Sequence, residues 1–218
     1  PYSRIAHLAE DIVPYLAIGA ELHRAGFSVP ACDLADADAG TALIEDFGGH
    51  AYGPAGAAGE SQEVVWTAAT DALVALRQAT LPATAATDTG LRHTLPHYDA
   101  GALGIEVELL PDWYLPLVSN RPTAGAVRNA YLDLWRPRLE HLAGVAARWV
   151  LRDFHSPNLI WLPDRDGIRR VGILDFQDAQ MGHPAYDLVS LLQDARCDVS
   201  ADLEATLLAR YIAAVPHH

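Results

Sequence analysis

Apolar residues along this chain alternate between helical and strand-like spacing, and the switches between the two mark its elements. Ile5, Leu8, Ile12, Val13, Leu16 and Leu22 recur at helical intervals, and Gly26 stands where a helix-terminating glycine belongs. Pro14 either kinks this helix or occupies the first turn of one that begins near Asp11. Two short strands are expected next, in VPACDLA and TALIEDF, joined by the acidic turn DADAG. GGHAYGPAGAAG has too many glycines for a long helix or a central strand and reads as a linker or mobile loop. SQEVVWTAATDALVALRQAT reads as a helix capped by Ser61, with Glu63 in its first turn and an apolar face on Val64, Val65, Ala68, Ala72, Leu73 and Leu76. LPATAATDTGLRHTLP reads as a loop. GALGIEVELLPDWYLPLVS reads as short helices broken by Pro111 and Pro116. GAVRNAYLDLWRPRLEHLAG is a stronger helix that stops near Gly144 and is divided at Pro137. Leu159–Leu162 and Val171–Leu174 are short apolar strands joined through an Asp166-Gly167 turn, and HPAYDLVSLLQDA opens a further helix.

Composition narrows the possibilities. With 218 residues, 50 % apolar and 20 % charged, the chain has the profile of a folded domain able to bury a core. Its formal net charge is −13, and all 15 basic residues are arginine. A broad nucleic-acid-binding face is therefore not expected, and chemistry that needs a lysine amine from this stretch is excluded. Cys32 and Cys197 form neither a disulfide framework nor a thiolate zinc site, and His50, His93, His97, His141 and His183 form no metal-binding array. No apolar run is long enough to span a bilayer, and the leading residues do not read as a secretory signal; a cytoplasmic location is expected. The sequence has no initiator methionine, which fits a stretch from inside a longer protein.

The chemistry concentrates after Trp149. Asp153 precedes the 159–174 hairpin, Asn158 enters its first strand, and Asp175 leaves its second. A hairpin returns the chain to its starting point, so Asn158 and Asp175 are expected to converge as hard oxygen donors for Mg2+. Asp153, on the adjacent loop, is placed to take a proton from an incoming hydroxyl. This division of labour is that of phosphoryl transfer, and the five-residue step from Asp153 to Asn158 equals that of the protein-kinase catalytic loop. His155 either donates to a sugar hydroxyl or packs. Trp113 and Tyr114 either stack on a sugar ring or belong to the core. Gln177 and Asp178 are weaker candidates for contact with substrate or nearby water. Arg152 is expected to hold nearby carboxylates, and Arg169 and Arg170 to form a solvated hairpin tip.

LRDFHSPNLIWL and VGILDFQDAQMGHPAYDLVSLLQDAR together resemble the aminoglycoside-phosphotransferase and choline-kinase-like superfamily, most closely its bacterial kinases of cell-wall amino sugars. GFSVPACDLADADAGTALIEDFG and ELLPDWYLP add to the likeness. It implies a two-lobed, protein-kinase-like α+β fold, with residues 1–50 as the rear of the small lobe plus the hinge and 51–218 as the large catalytic lobe. It further implies ATP and Mg2+ as cofactors and a small-molecule acceptor, with the anomeric hydroxyl of N-acetylmuramate or N-acetylglucosamine as the site of transfer. Aminoglycoside, choline and homoserine remain alternative acceptors, and a non-catalytic binding remnant is an alternative of another kind. Asp153 is then the catalytic base, Asn158 and Asp175 the metal ligands, and Glu45, Asp46 and Phe47 the hinge whose backbone meets adenine. Asp187 braces the catalytic loop, unless it is simply a carboxylate at a helix start. Glu10, with Glu21 second, would partner the lysine that such kinases carry on an earlier strand. This stretch has no lysine and no G-x-G-x-x-G loop, so its small lobe is expected to be incomplete and residues 1–218 alone inactive.

Overall fold

In a computed structural model of the chain, residues 11–215 are described. Helix α1 spans Val13–Arg24, with Pro14 in its first turn and the Asp11 carboxylate accepting from the Val13 N–H at 2.8 Å. Pro14 therefore starts the helix and does not kink it. The reach of this helix back to Ile5 lies outside the described residues, as does Glu10. At the other end Gly26 takes φ +89°, its N–H bonds to the His23 carbonyl, and Phe27 N–H bonds to Leu22 O at 3.0 Å. These are the two bonds of a Schellman cap, which needs a residue that tolerates the left-handed conformation.

The chain then pairs β1 (Cys32–Asp36) with β2 (Thr41–Ile44), and every residue of both strands is exposed. Gly48 through Ser61 is irregular, as its glycines require. At Gly56, φ is +94° and a Cβ would fall 1.8 Å from the Glu60 carbonyl oxygen, so only glycine fits this turn. Helix α2 (Gln62–Gln78) is capped by the Ser61 hydroxyl and buries Val65, Trp66, Ala69, Ala72, Leu73 and Leu76. Trp66 donates from its indole N–H to the Leu191 carbonyl at 3.1 Å, so its polar edge is satisfied inside the core.

The 80–96 stretch is not simply a loop. Thr84–Ala86 (β3) and Arg92–Thr94 (β4) form a hairpin held against α1, with Glu21 accepting from Ala86 N–H and Arg24 donating to the Ala86 carbonyl. Alanine and threonine conceal such a strand because they carry little apolar alternation. Pro111 and Pro116 do not break the helix either. Helix α3 (Ala100–Leu109) runs into a π-turn at Leu110–Tyr114 and on into α4 (Leu115–Ser119), all in helical backbone geometry. Widening one turn to an i→i+5 bond, from Leu115 N–H to Leu110 O, absorbs the proline that an α-turn would reject. Helix α5 (Gly125–Ala143) also continues unbroken through Pro137 and stops at Gly144.

Strand β5 (Arg148–Val150) pairs with β8 (Gln180–Gly182), and between them β6 (Leu159–Trp161) pairs with β7 (Val171–Ile173). The β6–β7 connection is longer than a two-residue turn: it contains a 3₁₀ turn at Gly167–Arg170, with Gly167 at φ +56°. Arg169 supplies a carbonyl to the Ser28 hydroxyl and Arg170 lies over the Trp161 ring, so this tip is anchored by its backbone and one guanidinium. Ser28 bridges the outer side of β7, and Ala51 bridges the outer side of β6, widening the hairpin at both edges. Helices α6 (Ala185–Leu192) and α7 (Ala201–Ala214) pack with α2 beneath this hairpin, around Leu159, Trp161, Val171, Leu188, Leu191 and Leu207.

Candidate active site

The residues between β5 and β6 form a loop whose shape is imposed from below. Asp187, at the start of α6, is 2 % exposed, and its two carboxylate oxygens accept the N–H groups of Leu151 and Arg152 at 2.8 and 2.9 Å. Burial pushes its carboxyl up to about 7, against the opposing pull of those two hydrogen bonds. Arg152 is held at φ +71°, a conformation that costs energy in a residue with a Cβ and persists because the surroundings fix it. Asp187 thus reaches across to the backbone of Leu151 and Arg152 and is not merely a helix-start carboxylate.

Asn158 closes a 3₁₀ turn (Ser156–Asn158) immediately before β6. Its carbonyl accepts from Leu174 N–H at 2.9 Å, which ties it to the end of β7. Its amide nitrogen donates to the Asp153 carbonyl at 3.0 Å and lies 3.4 Å from Asp175 Oδ2. The hairpin therefore brings Asn158 and Asp175 together, beside Asp153. Asp175 sits at φ +56°, a second strained residue in the same site, followed by the buried Phe176. Phe176 stacks on Tyr15 of α1 with ring centroids 4.9 Å apart, and a Cβ on Gly19 would meet the Phe176 ring at 3.2 Å. The position of α1 is thereby coupled to the residue next to Asp175.

An amide oxygen and a carboxylate are hard donors suited to Mg2+, which normally keeps waters and takes phosphate oxygens for the rest of its shell. Among the described residues no group of three or more His, Cys, Asp or Glu converges as a metal cage. Asn158 and Asp175 carry donor types that fit such a shell, and here the Asn158 amide nitrogen faces the Asp175 carboxylate.

Asp178 lies on the same side, with Oδ2 3.8 Å from Arg152 Nη1. Burial raises its carboxyl above the ordinary range; Arg152 opposes this, while Asp175 and Asp153 add to it. Arg152, expected to hold carboxylates, does face Asp178, and it also lies over the Tyr98 ring at 5.7 Å. Tyr98 and Tyr186 both donate to Glu106 of α3, the Tyr186 bonds measuring 2.8 and 2.9 Å. Nothing in the sequence pattern pointed to this cluster, in which Tyr186 stands 80 positions from Glu106 and 88 from Tyr98. Gln177 donates to Asp175 Oδ1. Trp113 and Tyr114 are 62 % and 56 % exposed on the π-turn, so they are not core residues. Their rings make no hydrogen bond to the 151–158 loop among the described residues.

The hinge candidates sit against the same hairpin. Glu45 N–H donates to the Ala31 carbonyl at 2.8 Å, and its carboxylate takes Arg165 and the Ala31 N–H. Asp46 accepts from Gly48 N–H at 2.8 Å. Phe47 lies under Arg165 and against Gly172 of β7, where a Cβ would come within 2.7 Å of its ring. With these side chains engaged internally, backbone groups are what the segment can offer a ligand. Glu21, the second candidate for pairing a lysine, is engaged by Arg24 and Ala86.

The sequence matches the family described as "Phosphotransferase enzyme family" over residues 2–217. The chain belongs to this family. Among the chain's relatives, the N-acetylmuramate/N-acetylglucosamine kinase of Caulobacter vibrioides is 38 % identical over 216 residues, covering 99 % of this chain and 59 % of that protein. The kinase of the same name from Pseudomonas aeruginosa is 30 % identical over 190 residues, covering 85 % of this chain and 50 % of that protein. The chain thus spans between half and three-fifths of the length of these relatives. The crystal structure of choline kinase LicA from Streptococcus pneumoniae superposes with a TM-score of 0.64 at 18 % identity, over 100 % of this chain and 68 % of that one. The fold of the chain is therefore the kinase-like α+β fold. No helix among its described residues is long and apolar enough to cross a membrane.

Proposed function

We propose that this stretch is the catalytic part of an ATP- and Mg2+-dependent kinase acting in the cytoplasm on the anomeric hydroxyl of N-acetylmuramate or N-acetylglucosamine. The observation that carries the reading is the convergence of Asn158 and Asp175, 3.4 Å apart, beside Asp153 on a loop braced by Asp187. The names of the relatives supply the acceptor. Residues 1–50 form the rear of the small lobe and the hinge, and 51–218 the large lobe; Glu45–Phe47 present their backbone to adenine.

In this reading the acceptor hydroxyl meets the Asp153 carboxylate. Its proton passes to Asp153 as the oxygen attacks the γ-phosphorus, the bond to the β–γ bridging oxygen breaks, and ADP departs. Asn158 and Asp175 would hold the cation, which would offset the charge of the phosphate oxygens. Most of the rate comes from such positioning. Arg152 restrains Asp178 at the rim of the site, and Gln177 restrains Asp175.

The test is phosphorylation of the two amino sugars by the intact enzyme, followed as sugar phosphate formed. Asp153→Asn is expected to lower kcat by roughly 10²–10⁴-fold, with nucleotide affinity unchanged because Asp153 serves the hydroxyl and not adenine. Near-normal turnover by that variant would remove Asp153 as the base. Phosphorylation of an aminoglycoside or choline, with neither amino sugar used, would transfer the same chemistry to another acceptor. Nucleotide binding with no acceptor phosphorylated would favour a non-catalytic role.

A further inference from the structure

Besides Asp187, a second buried carboxylate grips the catalytic loop from below. The Asp194 side chain is fully buried; its Oδ2 accepts Ser156 N–H and its Oδ1 accepts Arg196 N–H, each at 2.8 Å. Between Asp153 and Ser156 lies His155, 8 % exposed. Its backbone is tied at both ends, N–H to the Asp153 carbonyl at 3.0 Å and carbonyl to Asn158 N–H at 2.9 Å. Its ring turns back on the loop, with Nε2 3.5 Å from Asp153 Oδ1. Its Nδ1 is buried and has no hydrogen-bond partner among the described residues. A polar ring enclosed with one nitrogen unpaired is poorly explained as filler, because an apolar side chain of that size would avoid the cost.

We propose that His155 is a positioning residue for the base: Nε2–H is directed at Oδ1 of Asp153 and leaves Oδ2 free for the acceptor hydroxyl. Asp194 completes the device by fixing the 155–158 turn through Ser156. The inference rests on the reading of Asp153 as the base. Its physical motive is that the terminal torsion of an aspartate is broad and soft, and the Asp153 side chain is 39 % exposed, with solvent on its free side. Without a second partner that carboxylate would swing away from the line of transfer. The 3.5 Å separation is long for a hydrogen bond, as catalytic contacts often are before the substrates close the site. His155 was also a candidate for direct contact with the sugar. The geometry points instead to Asp153, since a ring this buried offers little surface to a ligand.

Kinetics of the intact enzyme with ATP, Mg2+ and the amino sugars separate these roles. His155→Ala is expected to lower kcat roughly 10–100-fold with both KM values nearly unchanged, the cost of a misplaced group. His155→Gln, whose amide N–H can occupy the Nε2 position, is expected to recover most of that loss. A raised sugar KM at unchanged kcat would make His155 a substrate contact and overturn the proposal. Equal losses in the Ala and Gln variants, with a matching fall in Tm, would reduce it to packing and overturn it likewise. A readout independent of the acceptor comes from 15N-histidine NMR, in which His155 is expected as the Nε2–H tautomer and its signal to shift in Asp153→Asn. The Nδ1–H tautomer, or a signal indifferent to Asp153, would sink the inference even in an active enzyme. The expected tautomer and shift in a protein that phosphorylates neither sugar would sustain it while the assignment of substrate failed.

Discussion

Asp187 and Asp194 hold the same loop, yet they answer to pH in opposite senses. Asp187 has its carboxyl raised by burial to about 7, so the folded state holds its proton more tightly than the unfolded state does. Its contribution to stability is complete below the ordinary carboxylate value near 4 and is lost as pH climbs through about 7. For Asp194 burial again acts upward, but bonds from Ser156 and Arg196 and the nearby His155 outweigh it and hold the carboxyl low. Its contribution is present above the ordinary value and is lost as pH falls through the depressed one. Urea midpoints measured from pH 3 to pH 8 are expected to show Asp187→Asn flattening the dependence between about pH 4 and 7 and Asp194→Asn flattening the acid limb, each pKa unit being worth about 1.4 kcal/mol. An unaltered profile in either variant would contradict the account for that residue. At this scale the meeting of Asn158 with Asp175 was legible because a hairpin must return to its origin. Asp194 and the Tyr98–Glu106–Tyr186 cluster were not, because each acts by tertiary contact across a long sequence separation.

At the level of elements, the β6–β7 hairpin joins the proposed metal pair to the proposed hinge. Gly172 allows this, since Phe47 occupies the space where any larger residue would place its Cβ. Gly172→Val is expected to cost about 1–3 kcal/mol from overpacking and to weaken ADP binding, as judged by urea denaturation and nucleotide titration. Adding Phe47→Ala should return part of the stability, because the two changes share one contact; simple additivity would show that Phe47 does not set the cost. Helices α1, α2 and α5 and this hairpin could be read from apolar spacing, whereas α7 was not. The β3–β4 hairpin was hidden by residues that lack alternation. The continuous α3–α4 segment was hidden by Pro111 and Pro116, whose usual effect is overridden where a π-turn gives one proline room and the other lies in the first turn of α4. Pro137 was misleading in the same way, because α5 continues through it.

Taken as a whole molecule, the described residues bury one core, from Ala17 and Leu22 of α1 to Leu207 and Tyr211 of α7, while leaving both strands of β1–β2 exposed. That exposure, together with the missing lysine, motivates an expectation about the stretch by itself: purified residues 1–218 should form no sugar phosphate at an ordinary enzymatic rate, about 1 per second or faster. Turnover at that rate would show that the phosphate grip supplied by lysine in other kinases is dispensable here. Fold class was legible at this scale because the catalytic segment resembles one superfamily so specifically. The way the parts lie against each other was not, since apolar spacing says which faces are buried and not what buries them. One pairing has a further consequence. The β1–β2, β3–β4 and β6–β7 ladders each join neighbours in sequence, whereas β5–β8 closes a loop that contains Asp153, Asn158 and Asp175. Local hairpins lose little entropy on closing and can form early; the β5–β8 clasp must wait for the longer loop. In refolding followed by pulsed hydrogen exchange, the amides of the Ile160–Gly172 pair should acquire protection before those of the Val150–Gln180 pair. Asp153, Asn158 and Asp175 would then reach their final spacing among the last events of folding, so a newly made chain would gain its helices and hairpins well before the proposed site took shape.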